Sequence, residues 1–140
     1  NELGKIANLF NRDGGPTPPI GISVPQAMYD DFVEICKPVK NINPDFPFEV
    51  KVAKPRKRPT STGGTDASVF AVEGVPTYGF TTDDIKGYNF SYGEIWHTER
   101  DLYTKNIPEY QEHTAVVTAI VALGVANLDK QLSREGMYKE

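Results

Sequence analysis

Apolar and polar positions along the chain alternate with different periods in different stretches, and those periods predict its elements. Residues 3–10 are short and largely apolar, which predicts a buried strand ending at Asn11-Arg12-Asp13-Gly14-Gly15-Pro16, where glycine and proline turn the chain. Residues 20–23 predict a brief second strand. Ser23 then reads as an N-cap with Pro25 in the first turn, and Met28, Phe32, Ile35 and Cys36 fall at helical spacing. That helix is expected to stop at Lys37, before Pro38. Residues 46–52 alternate Phe46, Phe48, Val50 and Val52 against Pro47, Glu49 and Lys51, the period of a half-buried strand, and Pro47 assigns it toward a sheet edge.

Residues 54–62 combine proline, charge and hydroxyl groups without periodicity and read as a loop. A short amphipathic segment over residues 67–73 follows, then Gly74-Val75-Pro76 as a turn and residues 77–81 as an aromatic-rich strand. Residues 83–93 form a second long loop, in which Tyr88, Phe90 and Tyr92 either line a substrate pocket or pack the loop to the body. The last helix starts at Pro108, with Glu109 and Glu112 near its positive end. Its apolar residues, from Val116 to Leu128, wrap widely enough to want cover on most sides, and Ala115, Ala119, Ala122 and Ala126 permit close approach to a sheet. His113 reads as a surface or boundary histidine. The element order predicts one α/β domain over residues 1–140, a mixed β-sheet flanked by helices.

A net charge of −4 gives no electrostatic reason to expect a nucleic-acid partner. The basic run Lys51, Lys54, Arg56, Lys57 and Arg58 sits among prolines with no aromatic residue interleaved, so it reads as a solvated loop rather than a polyanion site. Cys36 is the only cysteine and cannot form an internal disulfide; its apolar stripe marks it as a packing residue. The apolar run over residues 115–128 is interrupted by Thr118, Gly124 and Asn127 and falls short of a membrane span. The chain opens on Asn1-Glu2 without an initiator methionine, and the expectation is a segment of a longer polypeptide.

Candidate chemistry gathers in residues 63–101, which offer a carboxylate, Asp66, at one end and an imidazole, His97, at the other. Asp13 adds a carboxylate at the expected strand end, where open α/β sheets collect their binding groups; an Asp capping a turn is the plainer alternative. The order Gly-Gly-Thr-Asp, small apolar segment, Gly-Val-Pro, strand, loop, and Trp-His-Thr followed by an acidic residue resembles the C-terminal part of the co-catalytic zinc aminopeptidase and carboxypeptidase family, whose fold glutaminyl cyclases share. One departure is Ala67, where that family usually has histidine after the aspartate.

The resemblance implies a zinc-exopeptidase-like α/β/α sandwich, a metallopeptidase parent with two zinc ions, and a secreted or periplasmic location. It implies Asp13 as ligand to one ion, His97 as ligand to the other, and Asp66 as a supporting or substrate-contacting residue. The family's other ligands, a histidine, a bridging aspartate and a glutamate beside the catalytic glutamate, have no counterpart here, so this chain alone is expected to be inactive with its zinc sites empty. The implied partners are a peptide substrate and the N-terminal part of the same catalytic domain; without that part, the apolar surface left uncovered on sheet and helices is expected to favour a homo-oligomer. Two alternatives stand beside the exopeptidase: a single-zinc glutaminyl cyclase, and a degenerate interaction or dimerisation module, to which Ala67 lends weight.

Overall fold

The computed structural model, which describes residues 2–139, is organised around β1 (Pro19–Val24). This strand runs parallel to β2 (Glu49–Val52) and antiparallel to β3 (Phe80–Thr82), so the sheet is mixed and ordered β2-β1-β3, with β2 at the edge that Pro47 predicts. The architecture is α/β, as the element order implies. Ile22 and Val24 are wholly covered, as a central strand requires. Gly21 lets β2 approach: a Cβ there would stand 2.4 Å from the Glu49 carbonyl oxygen.

Parallel pairing needs a crossover, and α1 (Gln26–Cys36) with the 3-10 turn Lys37–Asn41 supplies it. The helical stripe buries Met28, Phe32 and Cys36 as its spacing predicts. Ser23 is not the N-cap; it pairs with Lys51 inside β1, and Pro25 occupies the cap position without a side-chain hydrogen bond. Burial pushes the Cys36 thiol up to about 12, which keeps it protonated and inert.

Residues 6–10 run extended beside the approach to β3 but join no ladder, because the Asn8 carboxamide stands in for a peptide group. Its Nδ2 donates to the Tyr78 carbonyl at 3.0 Å and its Oδ1 accepts from the Tyr78 N–H at 2.9 Å. The expected first strand is therefore tied to residues 76–78 by one backbone bond, from the Leu9 N–H to the Pro76 carbonyl at 2.8 Å, and by the Asn8 side chain, with Leu3–Lys5 a 3-10 turn before it. The basic loop is also not simply solvated. The Arg56 guanidinium lies 5.4 Å from the Tyr78 ring centre and 5.8 Å from that of Tyr138, and Arg58 donates to the Val72 carbonyl at 2.9 Å.

The final helix, α2 (Pro108–Ala126), packs chiefly on α1 and touches β1. It is covered on one side only: Tyr110, His113, Val117, Val121 and Val125 are buried, while Val116 and Leu123 remain exposed. Three strands and one helix do not suffice to wrap it. Ala115, Ala119 and Ala126 face outward, and close approach comes instead at Gly124, where a Cβ would meet Ile35 Cγ2 at 2.5 Å. His113 is buried, against the boundary expectation, because it shares the stripe of Tyr110 and Val117. Leu132 and Met137 complete the core, and Arg134 ties the ends together by donating to the carbonyls of Leu3, Gly4, Ile6 and Gly74. Among the described residues no helix is long and apolar enough to cross a membrane.

Candidate functional site

Three segments far apart in sequence meet at one side of this frame. Asp13 follows the extended stretch held by Asn8. Asp66 follows a loop in which Gly63 (φ 145°) and Gly64 (φ 83°) adopt conformations that side chains rarely allow. His97 follows a single helical turn, Tyr92–Ile95. A cavity of about 640 Å³ is lined by Asp13, Gly64, Asp66, Tyr92, Trp96 and His97. A second, of about 670 Å³, shares Asp13, Tyr92, Trp96 and His97 and extends to Arg12, Asp101, Tyr103 and Lys105.

Local interactions explain how each group is presented. Asp13 accepts from Asn11 Nδ2 at 2.8 Å. His97 has φ 55°, in the left-handed region where a histidine is uncommon, so the backbone turns sharply at the imidazole. The Thr98 hydroxyl lies 3.0 Å from both the Glu94 and Ile95 carbonyls and accepts from the Arg100 N–H at 3.2 Å, closing the end of the short helix. The Trp96 ring centre lies 4.6 Å from the His97 ring. Asp66 stands at the cap position of the helical turn Ala67–Ala71 but makes no capping hydrogen bond, leaving its exposed carboxylate to the cavity.

Asp13 and His97 thus share a cavity, but not as ends of strands: residues 6–10 are outside the sheet and His97 succeeds a helical turn. The three aromatic candidates separate. Tyr92 lines both larger cavities, whereas Tyr88 and Phe90 line a smaller one of about 230 Å³. The Tyr88 hydroxyl donates to the Glu109 carboxylate, and Phe90 packs beneath Gly15, where a Cβ would come within 2.7 Å of Phe90 Cζ. Both therefore brace the loop.

Sequence reasoning passed over Arg12, Trp96 and Tyr103 as cavity residues. For Arg12 the signal was adjacency to Asp13 in a turn; for the two aromatics it was their placement around Trp-His-Thr.

A catalytic zinc ordinarily takes three protein ligands. Among the described residues no three His, Cys, Asp or Glu side chains are grouped closely enough to hold a metal ion. Asp13, Asp66 and His97 therefore do not by themselves fit a zinc centre. Compared with known proteins, the chain matches no protein-family model, no curated protein and no solved structure.

Proposed function

We propose that this chain contributes the C-terminal part of the catalytic domain of a zinc-dependent exopeptidase, a hydrolase acting on peptide N-termini or on small peptides. The observation that supports the reading is the shared cavity: Asp13, Asp66 and His97, drawn from three separate motifs, line one depression. In this reading Asp13 gives one ligand to one zinc ion and His97 one ligand to the other. The remaining ligands and the carboxylate that moves protons belong to a preceding part of the same domain. Asp66 supports the site or contacts substrate. Tyr92 and Trp96, whose ring centres lie 6.4 Å apart, supply apolar area for a substrate side chain.

The test is made in the full-length protein, with bound zinc and peptide hydrolysis measured for wild type, Asp13→Ala and His97→Ala. Each substitution is expected to lower zinc content and to reduce turnover by at least about a hundredfold. Wild-type zinc content and turnover in His97→Ala would overturn the proposal. One zinc per chain, with cyclisation of N-terminal glutamine instead of hydrolysis, would replace it with the cyclase reading.

A further inference from the structure

The basic run that reads as a solvated loop gains stiffness and neighbours in the fold. No acidic residue stands between Glu49 and Asp66, and Lys51, Lys54, Arg56, Lys57 and Arg58 are all exposed. Among the described residues only Lys51 of these five has a carboxylate partner, Glu49 at 3.0 Å. Lys54 and Arg58 each precede a proline, which confines them to extended backbone, so the run is a semi-rigid rod. Its middle is pinned. The Arg56 N–H donates to the Met137 carbonyl at 3.2 Å, and the Arg56 carbonyl accepts from the Lys139 N–H at 3.0 Å, which lays Lys139, another exposed cation, alongside. Arg56 Nη2 also donates to Thr77 Oγ1 at 2.8 Å, and the guanidinia of Arg56 and Arg58 lie 5.8 and 5.9 Å from the Tyr138 ring centre. Like charges are thus gathered and held at one place on the surface.

The shape of this patch selects its partner. None of the three cavities is lined by these side chains, so there is no groove to grip a folded segment or to follow a polymer. Tyr78 is 8% exposed and carries the Arg56 guanidinium over its ring at 5.4 Å, which leaves no open aromatic face there for a nucleic-acid base. Val52, 48% exposed and two residues before Lys54, adds apolar surface at the edge. A fluid anionic bilayer needs neither groove nor stacking platform, since its headgroups move to the cations and its boundary layer takes the valine. Charges farther off than about 8 Å are largely screened at physiological salt, so the local cluster outweighs the chain's net charge of −4.

We infer that residues 54–58, with Lys139 beside them, form a docking surface for an anionic lipid bilayer, which the chain joins peripherally through charge at the headgroups. The surface shares no residue with the cavities of Asp13, Asp66 and His97, and the inference does not depend on the exopeptidase reading.

Flotation of the 140-residue chain with phosphatidylcholine vesicles, with and without about one-third phosphatidylglycerol, tests it. At low salt the chain is expected to float with the anionic vesicles and not with the neutral ones, and about 0.5 M salt should release it. Each cation close to such a surface strengthens binding about fivefold, so Lys54→Gln with Lys57→Gln should weaken it about tenfold or more. Both side chains are exposed and outside any ion pair among the described residues, so the double variant should fold, which circular dichroism checks. Lys37→Gln with Lys40→Gln removes the same charge from the 3-10 turn after α1 and should leave binding within about twofold. No flotation with anionic vesicles overturns the inference, and so does an equal loss in the two double variants, which would mean that net charge alone acts. Binding to heparin or to a single-stranded oligonucleotide at low salt, without flotation, would assign the patch to a polymer and overturn it as well.

Discussion

The imidazole of His113 lies 4.2 Å from the ring of Phe46, tilted by 33°, and neither of its nitrogens has a hydrogen-bond partner among the described residues. Burial lowers its pKa from the ordinary 6.5; the Pro19 carbonyl partly opposes this but lies outside hydrogen-bond geometry. A histidine whose folded pKa is depressed is held neutral by the fold, and the unfolded chain takes up the proton first. Stability is therefore complete above pH 6.5 and falls as pH drops from there through the lowered folded value, by up to about 1.4 kcal/mol per pH unit within that window. Urea melts at pH 7.5 and 5.5 should show a loss in the wild type that is smaller in His113→Leu. Equal losses would mean that His113 is not the group responsible.

Where burial follows a period, the sequence carried it. Met28, Phe32 and Cys36 on α1 and Phe46 and Phe48 ahead of β2 are legible because they meet the core, whereas the expected alternation fails within β2 itself, where Val52 is exposed. His113 was legible by the same rule, three residues after Tyr110 and four before Val117, but its polarity masked the stripe. The pairing of Asn8 with Tyr78 was not legible, since a carboxamide replacing a backbone group leaves no periodic trace. Of the site, Asp66 and His97 carried short motifs. Arg12 did not, because its place in the cavity wall depends on the turn whose Gly15 and Thr17 carbonyls its guanidinium holds.

Tyr110 should govern the order of the loop before the short helical turn. Its buried hydroxyl donates to Asp84 Oδ1 at 2.7 Å and accepts from the Lys86 N–H at 2.8 Å, while Asp84 also accepts from the N–H groups of Tyr88 and Phe90. The Tyr110 hydroxyl, foremost among these donors, holds the Asp84 carboxyl below the usual carboxylate range. Tyr110→Phe removes the hydroxyl and keeps the ring. Amide exchange at Tyr88 and Phe90 should accelerate and the melting midpoint should fall by about 2–8 °C. Unchanged exchange at both amides would show that the loop holds without it.

Two glycines at close contacts should respond differently to alanine. At Gly21 the obstacle at 2.4 Å is the Glu49 backbone, which cannot yield without breaking the β1–β2 pairing, so Gly21→Ala should cost about 3 kcal/mol or more. At Gly124 the obstacle is the Ile35 side chain, which can rotate, and alanine in a helix gains about 1 kcal/mol over glycine. Gly124→Ala should therefore cost clearly less. Denaturant melts of both variants decide it, and a larger loss at Gly124 would show that the α1–α2 contact is the stiffer one.

Zinc affinity of the 140-residue chain follows from its donors. Asp13, Asp66 and His97 share a cavity, but among the described residues they do not form a metal-holding group of three. Tight zinc sites gain about 10–16 kcal/mol from several deprotonated ligands acting together, and a single carboxylate or imidazole reproduces only a small part of that. Binding should therefore be weaker than micromolar, which corresponds to about 8 kcal/mol. Calorimetric titration with zinc at neutral pH, after removal of any affinity tag, measures this directly. Under the exopeptidase proposal, weak binding in this chain is expected beside tight binding in the longer protein that the proposal requires, whose other ligands would lie outside these residues. Submicromolar binding that disappears in His97→Ala would instead mean that the cavity rearranges around the metal into a complete site.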